Sequence, residues 1–347
     1  MEEKLTFEEL DDAYMMCLKN KKRKNGTYSF VNEKICENLI NLLDELNSYT
    51  YKPKPSNCYV ITDPALREIY AAQFRDRIVQ HFYLMEIENI LENKFVDGCC
   101  SCRKTRGTDY ALSLLKDYLV KTSKKGKKDC YFLKIDLSGY FMSIDRKQVS
   151  NKFENLRTKV PKRRKMNPSS DYGMAIGNLT AQTASNLNLN DFDNFVVNEL
   201  GLKKYVRYVD DIIIISENKS VLIEKLPEII KKLEITHQTI SKKKTKIDTA
   251  YHGVQFLGKV SYPYGYQRPS KQVIIRTYNK AKKIEYEDKQ NLIAKVNAQI
   301  GTLKKYNSRK LILNYVDLLP SETKKIITFN DKELKFNWNY CGLFGLR

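Results

Sequence analysis

The stretch at residues 204–216, KYVRYVDDIIIIS, constrains the fold of this 347-residue chain more than any other. Its β-branched and aromatic residues predict two short strands around a tight turn, with Asp210 and Asp211 at the reversal. Asp is a common turn residue, but Asn-Gly or Asp-Gly is the usual pair in such a hairpin. Two adjacent carboxylates also repel each other unless a proton or a cation separates them. A divalent metal ion would remove the repulsion if a third carboxylate lay nearby.

Asp136 is the candidate for that third carboxylate. It ends the apolar run of FLKIDLSGYF, so a rigid strand would aim its side chain at a site. A turn or helix cap is the ordinary explanation for one such Asp. Combined with the Asp-Asp hairpin in a strongly basic chain, however, it fits two-metal phosphoryl chemistry. Mg²⁺ prefers the hard oxygen ligands that carboxylates supply.

The charge of the chain points to a polyanionic partner. Lys and Arg total 61 against 41 acidic residues, which gives a net charge of +20. The basic residues cluster at 19–24, 121–128, 161–166 and 241–246. The chain also contains 23 tyrosines, and aromatic rings among basic residues suit a nucleic-acid channel. Solubility alone is the alternative explanation of the charge, and many of the tyrosines could equally belong to the core.

Cysteine usage and hydropathy indicate a reducing, membrane-free setting. Cys99, Cys100 and Cys102 lie close together, but no second Cys or His pair stands at zinc-ligand spacing, so we predict free thiols. No apolar run approaches the length of a membrane span, and the N-terminus does not resemble a signal peptide. We therefore expect a cytoplasmic protein with no membrane partner.

Hydrophobic periodicity predicts a mixture of helices and strands without a strict βαβ repeat, which indicates an α+β fold. Helices are predicted over 6–18, 33–46, 68–92, 108–120, 178–200 and 221–234, followed by a basic helical region at 276–317. A short strand is predicted after the prolines at 51–64, a buried strand at 130–141, and a strand or hairpin at 252–262. A change of composition near residue 265 predicts a domain boundary.

These motifs together resemble those of reverse transcriptases, and more narrowly those of diversity-generating retroelements. Tyr208 to Asp211 is similar to the family's Tyr-x-Asp-Asp box, and DLSGYF after Asp136 is similar to its first catalytic box. The resemblance implies that Asp136, Asp210 and Asp211 are catalytic and bind two Mg²⁺ ions, with Mn²⁺ as a possible substitute. The backbone carbonyl of Leu137 would complete one metal site.

The resemblance also implies roles for residues around the aspartates. Phe141 would be the steric gate that excludes a 2′-hydroxyl. The segment IGNLT with the following Gln is similar to the retroelement subgroup, although Ala181 replaces its usual Ser. Implied nucleotide contacts are Arg67, Arg103, Phe141, Gln182 and Lys244. Implied template or primer contacts are Ile176, Gly177, Asn178, Tyr208, Phe256, Leu257 and Gly258.

The fold implied by the resemblance is the right-hand polymerase. Fingers and palm, an antiparallel sheet with helices, would occupy residues 1–265, and a small helical thumb residues 266–347. The implied partners are template RNA, the RNA/cDNA duplex and dNTPs. In a diversity-generating element the cDNA carries errors at template adenines and replaces a variable gene segment, a process called mutagenic retrohoming. A small basic oligomeric accessory protein assists such enzymes.

Other functions stay open on the sequence alone. One is a retron or phage-defence reverse transcriptase, although the Val-Thr-Gly signature usual in retron enzymes is not found. A different class is a non-catalytic RNA-binding protein that retains this scaffold, and a third is a scaffold whose basic face binds an acidic protein. Metal-dependent incorporation of dNTPs would separate the enzyme from the last two.

Overall fold

A computed structural model describes residues 4–19, 30, 34–62, 66–154, 172–285, 289–304 and 308–338. The chain forms two compact units. The first takes in residues 1–111, 133–214 and 220–247, and the second takes in 112–132, 215–219 and 248–347. The basic run at 161–166, and residues 20–24 of the run at 19–24, lie outside the described residues.

Helices make up most of the regular structure. The helices among the described residues are α1 (Phe7–Leu18), α2 (Ile35–Asn47), α3 (Phe74–Lys94), α4 (Thr108–Thr122), α5 (Tyr140–Ser143), α6 (Arg146–Glu154), α7 (Leu179–Asn188), α8 (Asn190–Asn194), α9 (Lys219–Ile235), α10 (Lys271–Lys282), α11 (Lys289–Lys304), α12 (Arg309–Asp317) and α13 (Ser321–Ile326). A π-helical turn at Phe195–Glu199 extends α8. Local chemistry sets some of these ends: Thr6 and Glu9 form a capping box at the start of α1.

The strands form small antiparallel sheets and one four-stranded sheet. They are β1 (Asn57–Ile61), β2 (Arg67–Ala71), β3 (Tyr131–Asp136), β4 (Tyr205–Tyr208), β5 (Asp211–Ser216), β6 (Lys246–Thr249), β7 (Val254–Phe256), β8 (Lys259–Ser261), β9 (Gln267–Pro269), β10 (Ile327–Asn330) and β11 (Lys335–Trp338). The four-stranded sheet has the order β4-β5-β3-β6, so β5 and β3 are neighbours. Buried Ile and Leu side chains of both strands pack in the core. The end of β3 lies beside the start of β5, where Leu137 N donates to the Asp210 carbonyl.

Each unit has its own hydrophobic core. In the first unit, α1, α2 and the start of α3 bury a cluster that includes Leu10, Leu42 and Ile78. In the second unit, α11 and α12 pack with the β10–β11 hairpin around Val296, Ile312 and Phe336. Among the described residues, no helix combines the length and the apolar character that crossing a bilayer requires.

The mixed helices and antiparallel sheets confirm the α+β prediction. The helix predicted over 68–92 was wrong in its first part, because residues 67–71 pair with β1 as strand β2. The predicted helix over 178–200 is instead three short helical segments. The hairpin β10–β11 lies in a region where only helix was expected, because its short apolar run at 327–329 carries no alternation long enough to indicate a strand.

Cys99, Cys100 and Cys102 are free thiols, as predicted. Burial raises the pKa of the Cys99 thiol to about 11 and that of Cys100 to about 12, so both stay protonated at neutral pH.

Candidate active site

The predicted hairpin is present, with Tyr208 opposite Asp211 and the two-residue turn at Val209 and Asp210. Val209 has a φ of +59°, which a β-branched residue rarely adopts and where glycine is usual. Such a conformation costs on the order of 1–3 kcal/mol and persists only where the surroundings hold it. Two contacts do so here: the Val209 amide donates to Ser101 Oγ at 3.2 Å, and the Val209 carbonyl accepts from Arg207 at 3.1 Å.

Arg207 is buried completely and forms the centre of a polar network beneath the turn. Its Nε and Nη2 atoms donate to the two oxygens of Asp193 at 2.8 and 2.6 Å, and Tyr205 donates to the same carboxylate at 2.5 Å. Although burial opposes a charge, the Asp193 carboxylate raises the pKa of Arg207, so the guanidinium stays charged. The pair therefore anchors the turn from inside the first unit.

The third carboxylate lies beside the turn. Asp136 ends β3, and the next amide, that of Leu137, donates to the backbone carbonyl of Asp210 at 3.3 Å. On the other side of β3 the chain pairs with residues 239–241, where Ser241 N donates to the Asp136 carbonyl and Ser138 N donates to the Thr239 carbonyl. Neither of those bonds uses the carbonyl of Leu137.

Two lysines balance the charge of the aspartates. Lys244 Nζ lies 2.9 Å from Asp136 Oδ1 and 3.2 Å from Oδ2, on a side chain that is 65% exposed. Lys134 lies two residues before the end of β3, and its Nζ is 3.1 Å from Asp211 Oδ1. The sequence predicted that Lys244 acts near the reaction centre, and the structure brings it to Asp136. Lys134 was not predicted.

The surroundings of Asp210 and Asp211 disfavour the ionised form of both carboxyl groups. Burial, together with the charges of Asp210 and Asp136, raises the pKa of Asp211 to about 6 against the opposing effect of Lys134. Burial and the Asp136 charge also raise the pKa of Asp210, while Lys244 and Arg67 oppose this. The hydrogen bond and charge of Asp136 raise the pKa of Lys244, which therefore stays an ammonium group. Added positive charge would be stabilised here.

Carboxylates are suitable ligands for a hard divalent cation. In this structure lysine ammonium groups contact Asp211 and Asp136 instead. Across the described ranges, no three His, Cys, Asp or Glu side chains stand close enough together to hold one metal ion. However, the buried Asp211 Oδ1 makes no hydrogen bond, whereas Lys134 Nζ donates to the Oδ2 atom of the same carboxylate at 3.3 Å. Carboxylate oxygens are the hard ligands that Mg²⁺ prefers, and this one has no hydrogen-bond donor.

The predicted nucleotide contacts fall into different environments. Arg67 is exposed at the start of β2, close enough to Asp210 for its charge to lower the pKa of that carboxyl. Phe141 is half-buried in α5, with its ring 5.5 Å from that of Tyr140. Gln182 is exposed in the first turn of α7. Contacts of these residues with a nucleotide stay predictions.

Arg103 has a structural role that the sequence did not indicate. Its side chain is only 4% exposed and pairs with Glu92, at 2.7 Å from Nη2 to Oε2. Its Nη1 also donates to the carbonyls of Val96 and Cys99, both at 2.8 Å. All three guanidinium nitrogens are thus engaged inside the first unit, and a nucleotide contact would require these bonds to break.

The IGNLT segment holds β2. The Ile176 carbonyl accepts from Tyr70 N at 2.7 Å, and the Asn178 side-chain oxygen accepts from Ala72 N at 3.2 Å. Gly177 has a φ of +121°, and a Cβ there would lie 2.7 Å from the Tyr70 carbonyl oxygen. The close approach at Gly177 is to the backbone of β2, and its predicted contact with a template or primer stays a prediction. Tyr208 is half-buried, and its hydroxyl accepts from Thr108 at 3.4 Å.

The predicted primer-contact segment forms the hairpin β7–β8 in the second unit. Leu257 and Gly258 make its turn, with φ values of +47° and +78°. Phe256 is only 1% exposed, so its side chain belongs to the core of this unit and only its backbone could face a primer. Leu257 and Gly258 are half-buried, and their contact with a primer stays a prediction.

Sequence reasoning missed Arg207, Asp193 and Lys134. One signal for them was available: Arg207 and Lys134 are single cations inside otherwise apolar strands, where a buried charge requires a partner. The identity of the partners was not readable, because Asp193 reaches Arg207 only through the packing of α8 beside β4.

A family profile matches the part of the chain that contains the candidate site. The sequence profile of reverse transcriptases (RNA-dependent DNA polymerases) matches residues 53–260. The YkfC protein of Escherichia coli (strain K12) is 29% identical over 171 residues, which are 45% of this chain and 44% of YkfC.

Solved structures give a weaker likeness. Telomerase from Candida albicans in complex with a TWJ fragment of telomeric RNA has a TM-score of 0.46 at 10% identity, over 78% of this chain and 60% of that one. Apo telomerase from Candida tropicalis has a TM-score of 0.45 at 9% identity, over 82% of this chain and 64% of that one. The chain thus spans less than two thirds of the length of each of these relatives.

Proposed function

The chain belongs to the reverse transcriptase (RNA-dependent DNA polymerase) family, and we propose that it copies an RNA template into cDNA at Asp136, Asp210 and Asp211. The observation that carries this proposal is that the end of β3 lies beside the β4–β5 turn, where Leu137 N donates to the Asp210 carbonyl, Lys134 pairs with Asp211 and Lys244 pairs with Asp136. Strained, well-held backbone at Val209 is typical of a functional turn.

The three aspartates and the Leu137 carbonyl would hold two Mg²⁺ ions, or Mn²⁺ in their place. When bound, such ions lower the pKa of an attacking hydroxyl and stabilise a leaving pyrophosphate. The chain's own residues do the rest. Arg207 fixes the turn, Arg67 and Lys244 present cations to the triphosphate, and Phe141 occupies the space beside the sugar. If a metal ion neutralised Asp136, Lys244 would release that carboxylate and could contact the triphosphate instead.

The domain roles follow from the same proposal. Residues 1–265 would form fingers and palm, and residues 266–347 the thumb. In support, residues 266–347 fall within the second unit, and α11 and α12 supply much of its core. The family assignment supports template RNA and the RNA/cDNA duplex as partners. The free thiols of Cys99, Cys100 and Cys102 suit a reducing compartment, so we place this activity in the cytoplasm.

We further propose that the enzyme serves a diversity-generating retroelement, with mutagenic retrohoming as the outcome and a small basic oligomeric accessory protein as partner. The support is the IGNLT segment and the Gln that follows it, with the backbone at Ile176 and Gly177 packed against Tyr70 of β2. Because the IGNLT segment is hydrogen-bonded to β2 and the residue after it, a shift of one would move the other. A retron or phage-defence reverse transcriptase is the competing assignment.

The test is primer extension on a mixed-sequence RNA template with Mg²⁺ and four dNTPs, followed by sequencing of the cDNA. Errors concentrated opposite template adenines, with faithful copying elsewhere, are the expected result. Evenly distributed rare errors would retain the polymerase and contradict the retroelement assignment.

A further inference from the structure

Three tyrosines of the second unit form a partly exposed stack on the loop between β8 and β9. The Tyr262 ring lies 5.3 Å from the Tyr264 ring at an interplanar angle of 15°, and 6.0 Å from the Tyr266 ring at 28°. Tyr264 and Tyr266 are 55% and 53% exposed. We call residues 262–266 the tyrosine loop. Aromatic rings with about half of their surface exposed can stack with a planar ligand.

The tyrosine loop is held in place by its own backbone. Tyr262 N donates to the Tyr266 carbonyl at 2.9 Å, and Gly265, at a φ of +88°, donates to the Tyr262 carbonyl at 3.0 Å. Arg268 Nε donates to the Tyr262 hydroxyl at 2.9 Å, and its guanidinium lies 5.8 Å from the ring centroid. The rings are therefore preorganised, so that a ligand would order them at little entropic cost.

A lysine-rich turn packs against this loop. Residues 121–129, KTSKKGKKD, contain five lysines against one aspartate, and all five lysines are exposed. We call residues 121–128 the lysine turn. Ser123 joins it to the tyrosine loop: its Oγ donates to the Pro263 carbonyl at 3.0 Å and accepts from Gly126 N at 2.9 Å. A Cβ on Gly126 would lie 3.6 Å from Tyr264 Cβ, so the two segments are in direct contact.

We propose that the tyrosine loop and the lysine turn bind single-stranded RNA, with bases stacked on Tyr264 and Tyr266 and phosphates contacted by the lysines. Proteins bind single-stranded nucleic acid with exposed aromatic rings beside clustered cations. The bases stack on the rings and the cations contact the phosphates. The choice of RNA rather than DNA rests on the proposed function. The surface lies wholly in the second unit, whereas the three aspartates lie in the first.

The experiment measures the affinity of the full-length chain for an unstructured, unprimed, fluorescein-labelled 15-nucleotide RNA by anisotropy. Replacing both exposed rings, Tyr264→Ala with Tyr266→Ala, should weaken binding at least about tenfold. Tyr264→Phe with Tyr266→Phe keeps the rings and should bind as the unsubstituted chain does. Equal affinities for the Ala and Phe pairs would overturn the inference.

The lysine turn has a matched charge control. Lys124→Gln with Lys127→Gln should reduce the slope of log affinity against log salt by about 1.4, because two phosphate contacts of a single strand are lost. Lys203→Gln with Lys231→Gln removes the same charge from exposed positions in the first unit and should leave the slope nearly unchanged. If the surface serves an acidic protein instead, neither pair changes RNA affinity, and the inference is wrong.

Two further readouts separate this inference from its premise. If the tyrosine substitutions unfold the chain, ultraviolet crosslinking of a 4-thiouridine RNA to the unsubstituted protein replaces them. Crosslinks at Tyr264 or Tyr266 are expected, and their absence while other residues crosslink would contradict the surface. Primer extension on a preannealed template tests the polymerase alone: no extension, with RNA binding still sensitive to Tyr264 and Tyr266, would refute the polymerase and retain the surface.

Discussion

Asp211 couples the chemistry of the site to the stability of the fold. Its pKa in the folded chain is about 6, against about 3.9 for an unfolded Asp. Below pH 4 the carboxyl is protonated in both states and this contribution to stability is fully present. As pH rises from 4 through 6 the folded state must give up a proton that it holds more tightly, so the contribution is lost.

We therefore expect Asp211→Asn to be more stable than the unsubstituted chain at pH 7 without metal, by roughly 2–3 kcal/mol. The gain should shrink toward zero as pH falls below 4. Urea unfolding across this range measures it, with Asp12→Asn as the exposed control. Mg²⁺ should stabilise the unsubstituted chain more than the Asn variant. If the stabilities of the two proteins depended on pH in the same way, the pKa of Asp211 would not be raised in the folded chain.

Phe141 makes a second prediction at the residue scale. Its backbone carbonyl accepts from Met174 N at 2.7 Å, which fixes the position of α5 while the ring stays half-buried. If the ring lies beside the sugar of the incoming nucleotide, Phe141→Ala should reduce the preference for dNTPs over rNTPs at least about tenfold. Single-nucleotide incorporation with each substrate measures the ratio.

The neighbouring Met142→Ala is the matched control for Phe141, because that side chain is 68% exposed and should leave the preference unchanged. Equal sugar discrimination in the Phe141→Ala variant and the unsubstituted chain would remove Phe141 from the gate position.

At the scale of elements, the β4–β5 hairpin depends on a charge pair that the rest of the fold encloses. Arg207 and Asp193 are both fully buried, so loss of the arginine leaves a carboxylate without its partner. We expect Arg207→Ala to cost about 3–5 kcal/mol of unfolding free energy. Arg309→Ala removes a guanidinium from a pair with Asp331 whose side chains are 64% and 41% exposed, and should cost at most about 1 kcal/mol.

Denaturant unfolding of the two variants measures the difference. Near-equal losses would mean that the buried pair does not support the hairpin. Arg207→Lys separates positioning from stability, because it retains a charge but cannot reach Asp193 and the Val209 carbonyl together. Its kcat should fall while its KM for dNTPs changes little, whereas a purely structural role would lower the amount of active protein alone.

The elements also show how far the sequence could be interpreted. The β4–β5 hairpin, β3 and most helices were predictable, because their apolar residues recur with strand or helix periods. Strand β2 was not, because Ile69, Tyr70 and Ala72 continue the apolar spacing of α3, and only pairing with β1 decides their structure. The positive φ of Val209 was equally hidden, because contacts from Ser101 and Arg207 impose it.

At the scale of the whole molecule, charge and chemistry are separable. The net charge of +20 comes from residues spread over both units, whereas the catalysis that we propose uses three carboxylates in one of them. Composition predicted a polyanionic partner, and the motifs predicted that the end of β3 and the Asp-Asp hairpin form one site. Composition could not show that Arg103 is taken up by Glu92, or that tyrosines of one loop stack, because both depend on tertiary packing.

The most direct measurement is single-nucleotide incorporation on an RNA template with a DNA primer, with and without Mg²⁺, with RNA affinity measured in the same samples. The unsubstituted chain should incorporate dNTPs only with Mg²⁺. Asp210→Asn should lose at least about 10³-fold in rate, because it removes transition-state charge stabilisation. Its RNA affinity should stay within about threefold, because one charge among many changes. Full activity in Asp210→Asn, or parallel loss of activity and RNA binding, would contradict the metal-dependent polymerase.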